Sequence, residues 1–464
     1  MDRVFQNRSF HLIAVAVVLL SVLIVYSNTF HASFHFDDFL QVVENPAAKE
    51  PARALETLAK RTRPLTVISF ALNHAIGGAG VEGYHAVNIT IHMLNSILVY
   101  FILFLTFTGL KFEASWSKRI SVFSALLFAV HPVQIQSVTY IIQRMESQSA
   151  LFYLSAILCF ILAISRESRL WRLLFYALVP ISYILALYSK EVAITLPAVI
   201  ILYDIYFTRA PRFKAVLSRW PLYGVLLLVM LYFTVTTVLP LAGFDDIKNK
   251  LISPISSAEL SESDFPERPG FSLVSTAHAA TAPAVKNDAP VYVTSGLGIL
   301  GLGPKEYILT ELNVLTYYLL LLAVPMNQNL DYDFPVSRRL LQTPERKHGA
   351  KLTVPIPPPV VSLLILLAII GAAIYLVIRR RGKGVVGSAR SPVISYFIFW
   401  FFIILSPTSS FIPIIDVISE QRLYLASLGF FVVLVLFVDF VVERLSRVTS
   451  RVGGGGGEKG EQSL

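Results

Sequence analysis

The stretch Val87–Val130, VNITIHMLNSILVYFILFLTFTGLKFEASWSKRISVFSALLFAV, holds two long apolar runs divided by a short basic loop, Lys111 to Arg119. Each run approaches the roughly 20 residues needed to cross a bilayer. Lys and Arg collect in loops kept on the cytoplasmic side. A pair of spans joined by a basic turn is therefore the unit from which the rest of the chain can be read.

Further spans are predicted at 11–29, 147–164, 173–188, 192–207, 221–240, 358–378, 391–406 and 423–442, beside 87–109 and 120–140 in the opening stretch. The other basic loops are Arg166 to Arg172, Arg209 to Arg219, Arg379 to Lys383 with Arg390, and the tail residues Arg444, Arg447 and Arg451. Putting all of them in the cytoplasm yields one alternating path with both termini inside. No small-residue cleavage site follows the apolar run behind Arg3 and Arg8, so that run reads as a first span rather than a signal peptide. Tyr317 to Val324, ending at Pro325, is short for a span. It reads as re-entrant, interfacial or packed in the bundle, or as half of two crossings made with Val293–Leu302.

Of the 464 residues, 55% are hydrophobic and 15% charged, too few charges to clothe a water-soluble surface. An all-α polytopic membrane protein is expected. The lone Cys159 excludes a disulfide framework and a cysteine-based metal site. The net charge of +9 follows from the loop bias, so no nucleic-acid partner is expected.

Two long loops fall on the outer side. The first, 30–86, carries a helix-like piece from Ala52 to Lys60 and an amphipathic one from Leu65 to Ile76, both suited to the membrane interface. The second, 241–306, is rich in Ser, Ala and Pro and reads as a lid or a loop for acceptor contacts.

With the sides fixed, the outer ends hold Asp37, Asp38, Arg63, His74, His85, Arg144, Glu146, Lys190, Glu191, Asp331, Asp333, Glu420 and Arg422. A charge set against apolar segments costs about 3 kcal/mol unless it is paired or lines a wet cavity. Gathered at one face, such groups supply carboxylates for proton abstraction and cations for a phosphate. In Phe34-His35-Phe36-Asp37-Asp38-Phe39, crowding and aromatic neighbours raise a carboxyl pKa, which suits a general base. The alternative is a helix cap or a solvated turn. His131-Pro132 reads as a satisfied histidine at a proline kink. Arg144 and Glu146 could simply pair across a turn, whereas Lys190 and Glu191 interrupt an apolar region where a functional role is the better reading. Arg422, just ahead of the last span, has the planar fork that grips phosphate.

Several blocks resemble the GT-C membrane glycosyltransferases. Within that class they are most similar to the transmembrane and tetratricopeptide-repeat protein O-mannosyltransferases and their bacterial relatives. The blocks are Phe36-Asp37-Asp38 with Asn45-Pro46, Arg63-Pro64-Leu65 leading to Asn73, and Gly83-Tyr84-His85-Ala86-Val87-Asn88 with His92 and Asn95. Phe128 to Val133, Tyr188-Ser189-Lys190-Glu191 with Ile194 to Pro197 and Tyr203-Asp204, Asn329 to Pro335, and Ser406 to Ser410 leading to Glu420-Gln421-Arg422-Leu423-Tyr424-Leu425 continue the likeness. Family members with known protein acceptors carry a long repeat domain after the membrane module, and this sequence ends at Leu464 without one.

The resemblance implies a GT-C type bundle of about 10–12 transmembrane helices with interfacial helices in the first outer loop. It divides the chain into a catalytic membrane module at 1–240, the outer loop at 241–306, a C-terminal transmembrane region at 307–445 and a solvated tail at 446–464. It also implies a polyprenyl-phosphate sugar donor, and a catalytic base that maps onto Asp37 with Asp38 as its neighbour. Inverting transfer to a hydroxyl of an acceptor protein or glycan would then use Arg422, Lys190 or Arg144 on the departing phosphate. Arg63, His85, Glu146, Glu191, Asp331, Asp333 and Glu420 complete the candidate set. Mg2+ or Mn2+ suits oxygen ligands such as Asp37 and Asp38, but the basic residues already neutralise a phosphate, so no cofactor is expected to be required. The implied setting is a bacterial inner membrane, with membrane lipids as partners and the site facing the periplasm. An en bloc oligosaccharyltransferase or ligase using a pyrophosphate donor is the alternative enzyme. A lipid or solute transporter is the alternative of another class, disfavoured because neither half of the chain repeats the other.

Overall fold

A computed structural model describes residues 8–60, 63–208, 216–239, 303–330, 332–345, 354–379, 390–410, 413–414 and 416–453. Within them the regular structure is helical, with no strand. The helices are α1 (Arg8–Tyr26), α2 (Pro51–Lys60), α3 (Pro64–Gly77), α4 (Val81–Gly109), α5 (Ala114–Val130), α6 (Ile135–Thr139), α7 (Arg144–Ser165), α8 (Arg169–Ser189), α9 (Leu196–Phe207), α10 (Trp220–Phe233), α11 (Pro304–Ala323), α12 (Pro359–Arg379), α13 (Arg390–Leu405) and α14 (Leu423–Gly453). The all-α polytopic architecture is as the hydropathy predicts.

Seven of the described helices are long and apolar enough to cross a membrane: Arg8–Thr29, Val81–Gly109, Ile141–Ser165, Arg169–Ser189, Trp220–Val238, Pro359–Ile378 and Glu420–Arg447. The span predicted at 120–140 is broken. Ala114–Val130 and Pro132–Thr139 meet at a 52° bend and make an eighth crossing if taken together. Pro132 lacks an N–H and cannot continue the helix, and the His131 ring caps the new turn by accepting from the Val133 N–H at 3.2 Å. His131 is thus a satisfied residue at a kink, as its neighbour suggests.

Two predicted spans map onto shorter helices, 192–207 onto the 12-residue α9 and 391–406 onto the 16-residue α13. Lys190 and Glu191 force the chain through a 3-10 turn, Glu191–Thr195, before α9 can begin. Tyr317 to Val324 is no isolated fragment but mostly the apolar end of the 20-residue α11, whose first half carries Glu306 and Glu311. Its proposed partner, Val293–Leu302, and nearly all of the loop 241–306 lie outside the described residues.

Lipid is as apolar as leucine, so packing and hydrogen bonds hold such helices together, the latter at about 0.6 kcal/mol each. His92 of α4 takes both roles at the centre, with one ring nitrogen 2.7 Å from the Tyr424 hydroxyl of α14 and the other 3.0 Å from the Ala129 carbonyl of α5. Asn95 donates to the Ser147 carbonyl of α7 at 2.8 Å and to Tyr424 at 2.9 Å. Four helices therefore share one buried polar knot. Where α13 meets α14, a side chain at Gly429 would collide with the Phe397 carbonyl and the Phe401 N–H, so the backbones touch there.

Successive helices reverse direction, which separates two ends. At one end, Asp439 accepts from Trp116 and Arg119, both at 2.7 Å, and Arg390 bonds Glu443 at 2.6 Å. Arg219 holds Asp204 there through two bonds of 2.8 and 2.9 Å. The first long loop sits at the other end, where α2 and α3 form as expected. They leave Leu55, Leu58 and Ile76 exposed as an apolar surface suited to lipid headgroups.

Candidate active site

The loop after α1 folds back on a small apolar cluster of Val42, Ala48, Phe70, Tyr84, Ile141, Ile142 and Met145, with Phe34 and Tyr140 packed against it. That cluster decides what each aspartate does. Asp38 is 1% exposed and points inward, accepting the Ile142 N–H at 2.7 Å and the His35 N–H at 3.1 Å. Burial pushes its carboxyl up to about 6, against the two N–H donors that pull it down. Asp37 points the other way and is exposed. The two carboxylates of the predicted pair therefore differ in kind: one closes a turn and one is open.

Phe36, directly before Asp37, has φ of 43°, a left-handed conformation that costs an aromatic residue about 1 to 2 kcal/mol. The turn around it is closed by Asp38 N–H to His35 carbonyl at 2.9 Å, and that strained turn is what aims Asp37 outward. Asp37 is anchored by its own N–H, which donates to the Tyr140 hydroxyl at 2.9 Å. Partial desolvation raises the Asp37 carboxyl above the usual range, the nearby Asp416 carboxylate adds to the rise, and a hydrogen bond with Tyr140 opposes it.

The expected cations occupy three different settings. Arg144, 0% exposed, is enclosed: its guanidinium donates to Asn88 at 2.6 Å, Asn73 at 2.8 Å, the Tyr84 carbonyl at 3.0 Å and the Ser69 carbonyl at 3.3 Å. It also lies 4.4 Å from the centre of the Phe70 ring. Expected as a phosphate ligand, it instead ties α3, α4 and α7 together beneath the first loop. Lys190 pairs with the buried Glu146. Arg63 forks onto Glu191 through Nε and Nη2, both at 3.0 Å. Burial pulls the Lys190 ammonium below its ordinary pKa, with Glu146 acting against this. Against the burial that would raise it, Arg63 holds the Glu191 carboxyl low. These four make a neutral quartet beside the aspartate loop.

Arg422 differs. It is 8% exposed, and it donates to the Val417 carbonyl at 3.1 Å and to the Asp416 carbonyl, while no carboxylate comes within ion-pair distance of it among the described residues. Its charge is felt by the Glu311 and Asp416 carboxylates without a direct ion pair to either. Glu420 is turned to structural use, accepting from the Asn329 N–H at 2.8 Å, from Gln328 at 2.9 Å and from the Tyr332 hydroxyl. It thereby pins the segment around Asn329 over the start of α14, helped by Gln136, which donates to the Asn329 carbonyl at 2.8 Å. Asp333 is exposed in that segment, and Asp331 lies outside the described residues. His85 bonds the Ala32 carbonyl at 2.9 Å and fastens the loop that leads to Asp37.

Sequence reading passed over Asp416, Tyr140, Gln136 and Glu311. Asp416 had the same signal as the residues that were singled out, a carboxylate set in an apolar segment. Tyr140 and Gln136 had none, since their partners stand more than a hundred positions away. Each Asp38 oxygen accepts one backbone N–H, so Asp38 is committed to closing the turn. Among the described residues no three His, Cys, Asp or Glu side chains converge as metal ligands.

Architecture and site together define a polytopic helical membrane protein with an open carboxylate and, at one end of the bundle, an arginine that makes no direct ion pair among the described residues. Over 174 residues, 33% of its length, the chain is 33% identical to protein O-mannosyl-transferase TMTC4 of Homo sapiens, covering 23% of that protein. It is 31% identical over 161 residues to protein O-mannosyl-transferase TMTC3 of Mus musculus, covering 16% of it. Protein O-mannosyl-transferase Tmtc1 of Drosophila melanogaster is 30% identical over 153 residues, with 17% of it covered. The matched segments thus span less than a quarter of these relatives. No protein-family pattern matches the chain, and no solved structure does.

Proposed function

We propose that the chain is an inverting GT-C type glycosyltransferase that moves a hexose, mannose first among the candidates, from a polyprenyl monophosphate to a hydroxyl of a protein acceptor. The supporting observation is that Asp37 and Arg422 meet on either side of Asp416, whose carboxylate raises Asp37 and whose carbonyl accepts from Arg422. Likeness to protein O-mannosyl-transferases over a third of the chain supports the sugar and the acceptor class.

Asp37 takes the acceptor hydroxyl proton, and the hydroxyl oxygen forms a bond to the anomeric carbon from the face opposite the phosphate. The bond from anomeric carbon to phosphate oxygen breaks, and its electron pair leaves on the phosphate. Arg422 stabilises that charge as it develops. A phosphate leaves readily, so no second carboxyl is needed to protonate an alkoxide as in glycoside hydrolysis. The lipid tail can stay in the bilayer while the headgroup sits at the end bearing Asp37. Basic loops at the opposite end favour an outer-facing site, the periplasmic side of a bacterial inner membrane.

The test compares surface glycans and glycoproteins by mass spectrometry in cells carrying the native chain and cells carrying Asp37→Asn at matched expression. Loss of one sugar from one acceptor supports the proposal and names both substrates. Unchanged glycans would count against it.

A further inference from the structure

Glu311 is the buried acid that the mechanism leaves unused. It lies on α11 one turn after Tyr307 and two turns before Tyr318, so the three share a face. That face is pressed against the segment leading to Arg422: Tyr307 donates to the Thr408 carbonyl at 2.9 Å, and Tyr318 donates to the Ser419 carbonyl at 2.9 Å while accepting the Ser419 N–H. Glu311 is 2% exposed, and neither of its oxygens has a hydrogen bond of normal geometry, although the Tyr307 and Ser409 hydroxyls lie close. The charge it senses is Arg422, which lacks a carboxylate at ion-pair distance among the described residues. A buried acid held by no hydrogen bond of normal geometry thus stands near a buried guanidinium bound to backbone carbonyls.

We propose that Glu311 is a positioning residue that limits how tightly Arg422 holds phosphate, so that the product lipid phosphate can leave after transfer. The proposal rests on the glycosyltransferase reading and on the charges that reading implies. The donor is a phosphodiester with one negative charge. Once the sugar departs, the product is a monoester with a charge of about −1.5 to −2. An arginine alone would grip product more strongly than donor and the site would stall. In its ionised form the Glu311 carboxylate lowers the positive potential that Arg422 sets up at the phosphate, so the second negative charge gains less and the two affinities come closer. Burial pushes that carboxyl up to about 7.

The experiment measures donor KM, kcat and inhibition by undecaprenyl phosphate for the native chain, Glu311→Gln, Glu311→Asp and Arg422→Gln, purified in lipid nanodiscs. Glutamine has the same shape, and the lost charge makes no hydrogen bond of normal geometry, so the fold should persist. Glu311→Gln is expected to tighten product inhibition about tenfold, lower donor KM by less, and reduce kcat as release becomes limiting. Glu311→Asp, which keeps the charge, should stay near native. Product inhibition unchanged or weakened in Glu311→Gln, while Arg422→Gln relieves it, would overturn the inference alone. A native chain that neither turns over a polyprenyl-phosphate sugar nor is stabilised by undecaprenyl phosphate would overturn the function and the inference with it.

Discussion

The Asp37 N–H donates to the Tyr140 hydroxyl at 2.9 Å, and the next residue, Asp38, accepts the Ile142 N–H at 2.7 Å. Two adjacent residues of the first loop are thus clamped to two nearly adjacent residues before α7, one facing outward and one inward. The clamp gives the acidic pair a division of labour that can be tested.

Asp37→Asn should abolish transfer and leave the thermal midpoint near native, since its backbone N–H keeps the bond to Tyr140 and the amide oxygen can still accept from the Tyr140 hydroxyl. Asp38→Ala removes a charged acceptor from one buried and one part-buried N–H group and should cost about 2 to 4 kcal/mol, with activity lost alongside stability. Thermal unfolding in detergent beside a transfer assay distinguishes the two. Equal destabilisation by both would contradict the division.

The pH profile should report Asp37. It acts as the carboxylate, so the rate falls as pH drops through its pKa, which burial and then Asp416 hold above the usual carboxyl range. Asp416→Asn removes the second of these causes and should move the acid limb to lower pH. A limb that stays in place, or moves up, would dissociate Asp416 from the base.

Arg144 and Arg422 should part company on substitution by lysine. Arg144→Lys cannot reproduce the fork onto Asn88 and Asn73 and should lower stability by about 2 to 3 kcal/mol with donor KM unchanged. Arg422→Lys should instead raise donor KM. The check is steady-state kinetics with matched folded fractions, and a raised KM in Arg144→Lys would return that residue to the phosphate.

Gly429→Ala should destabilise the bundle by about 1 to 3 kcal/mol, because its methyl would meet the Phe397 carbonyl across the contact between α13 and α14. Thermal unfolding checks this, with Gly224→Ala, where a side chain meets open space, as the control.

The all-helical membrane class was legible because a 20-residue apolar run has few other uses. Span lengths were less so, since hydropathy does not register where Pro132 breaks a helix or where Lys190 and Glu191 shorten one. Asp37 and Asp38 could be flagged together but not told apart: the difference lies in an amide 104 residues from Asp38. Arg144 reads as a phosphate ligand or a partner of Glu146 because its neutral partners, Asn73 and Asn88, carry no charge pattern to reveal a pairing. Glu311 is hidden in the sequence because it lies in the polar half of α11, whose apolar end reads as a short separate fragment.

The most direct measurement gives purified chain in lipid nanodiscs a polyprenyl-phosphate mannose labelled at the anomeric carbon, with an unfolded Ser- and Thr-rich polypeptide as acceptor. The expected result is an inverted glycosidic bond formed by the native chain and none by Asp37→Asn at the same thermal midpoint. Transfer by Asp37→Asn at the native rate would contradict the account.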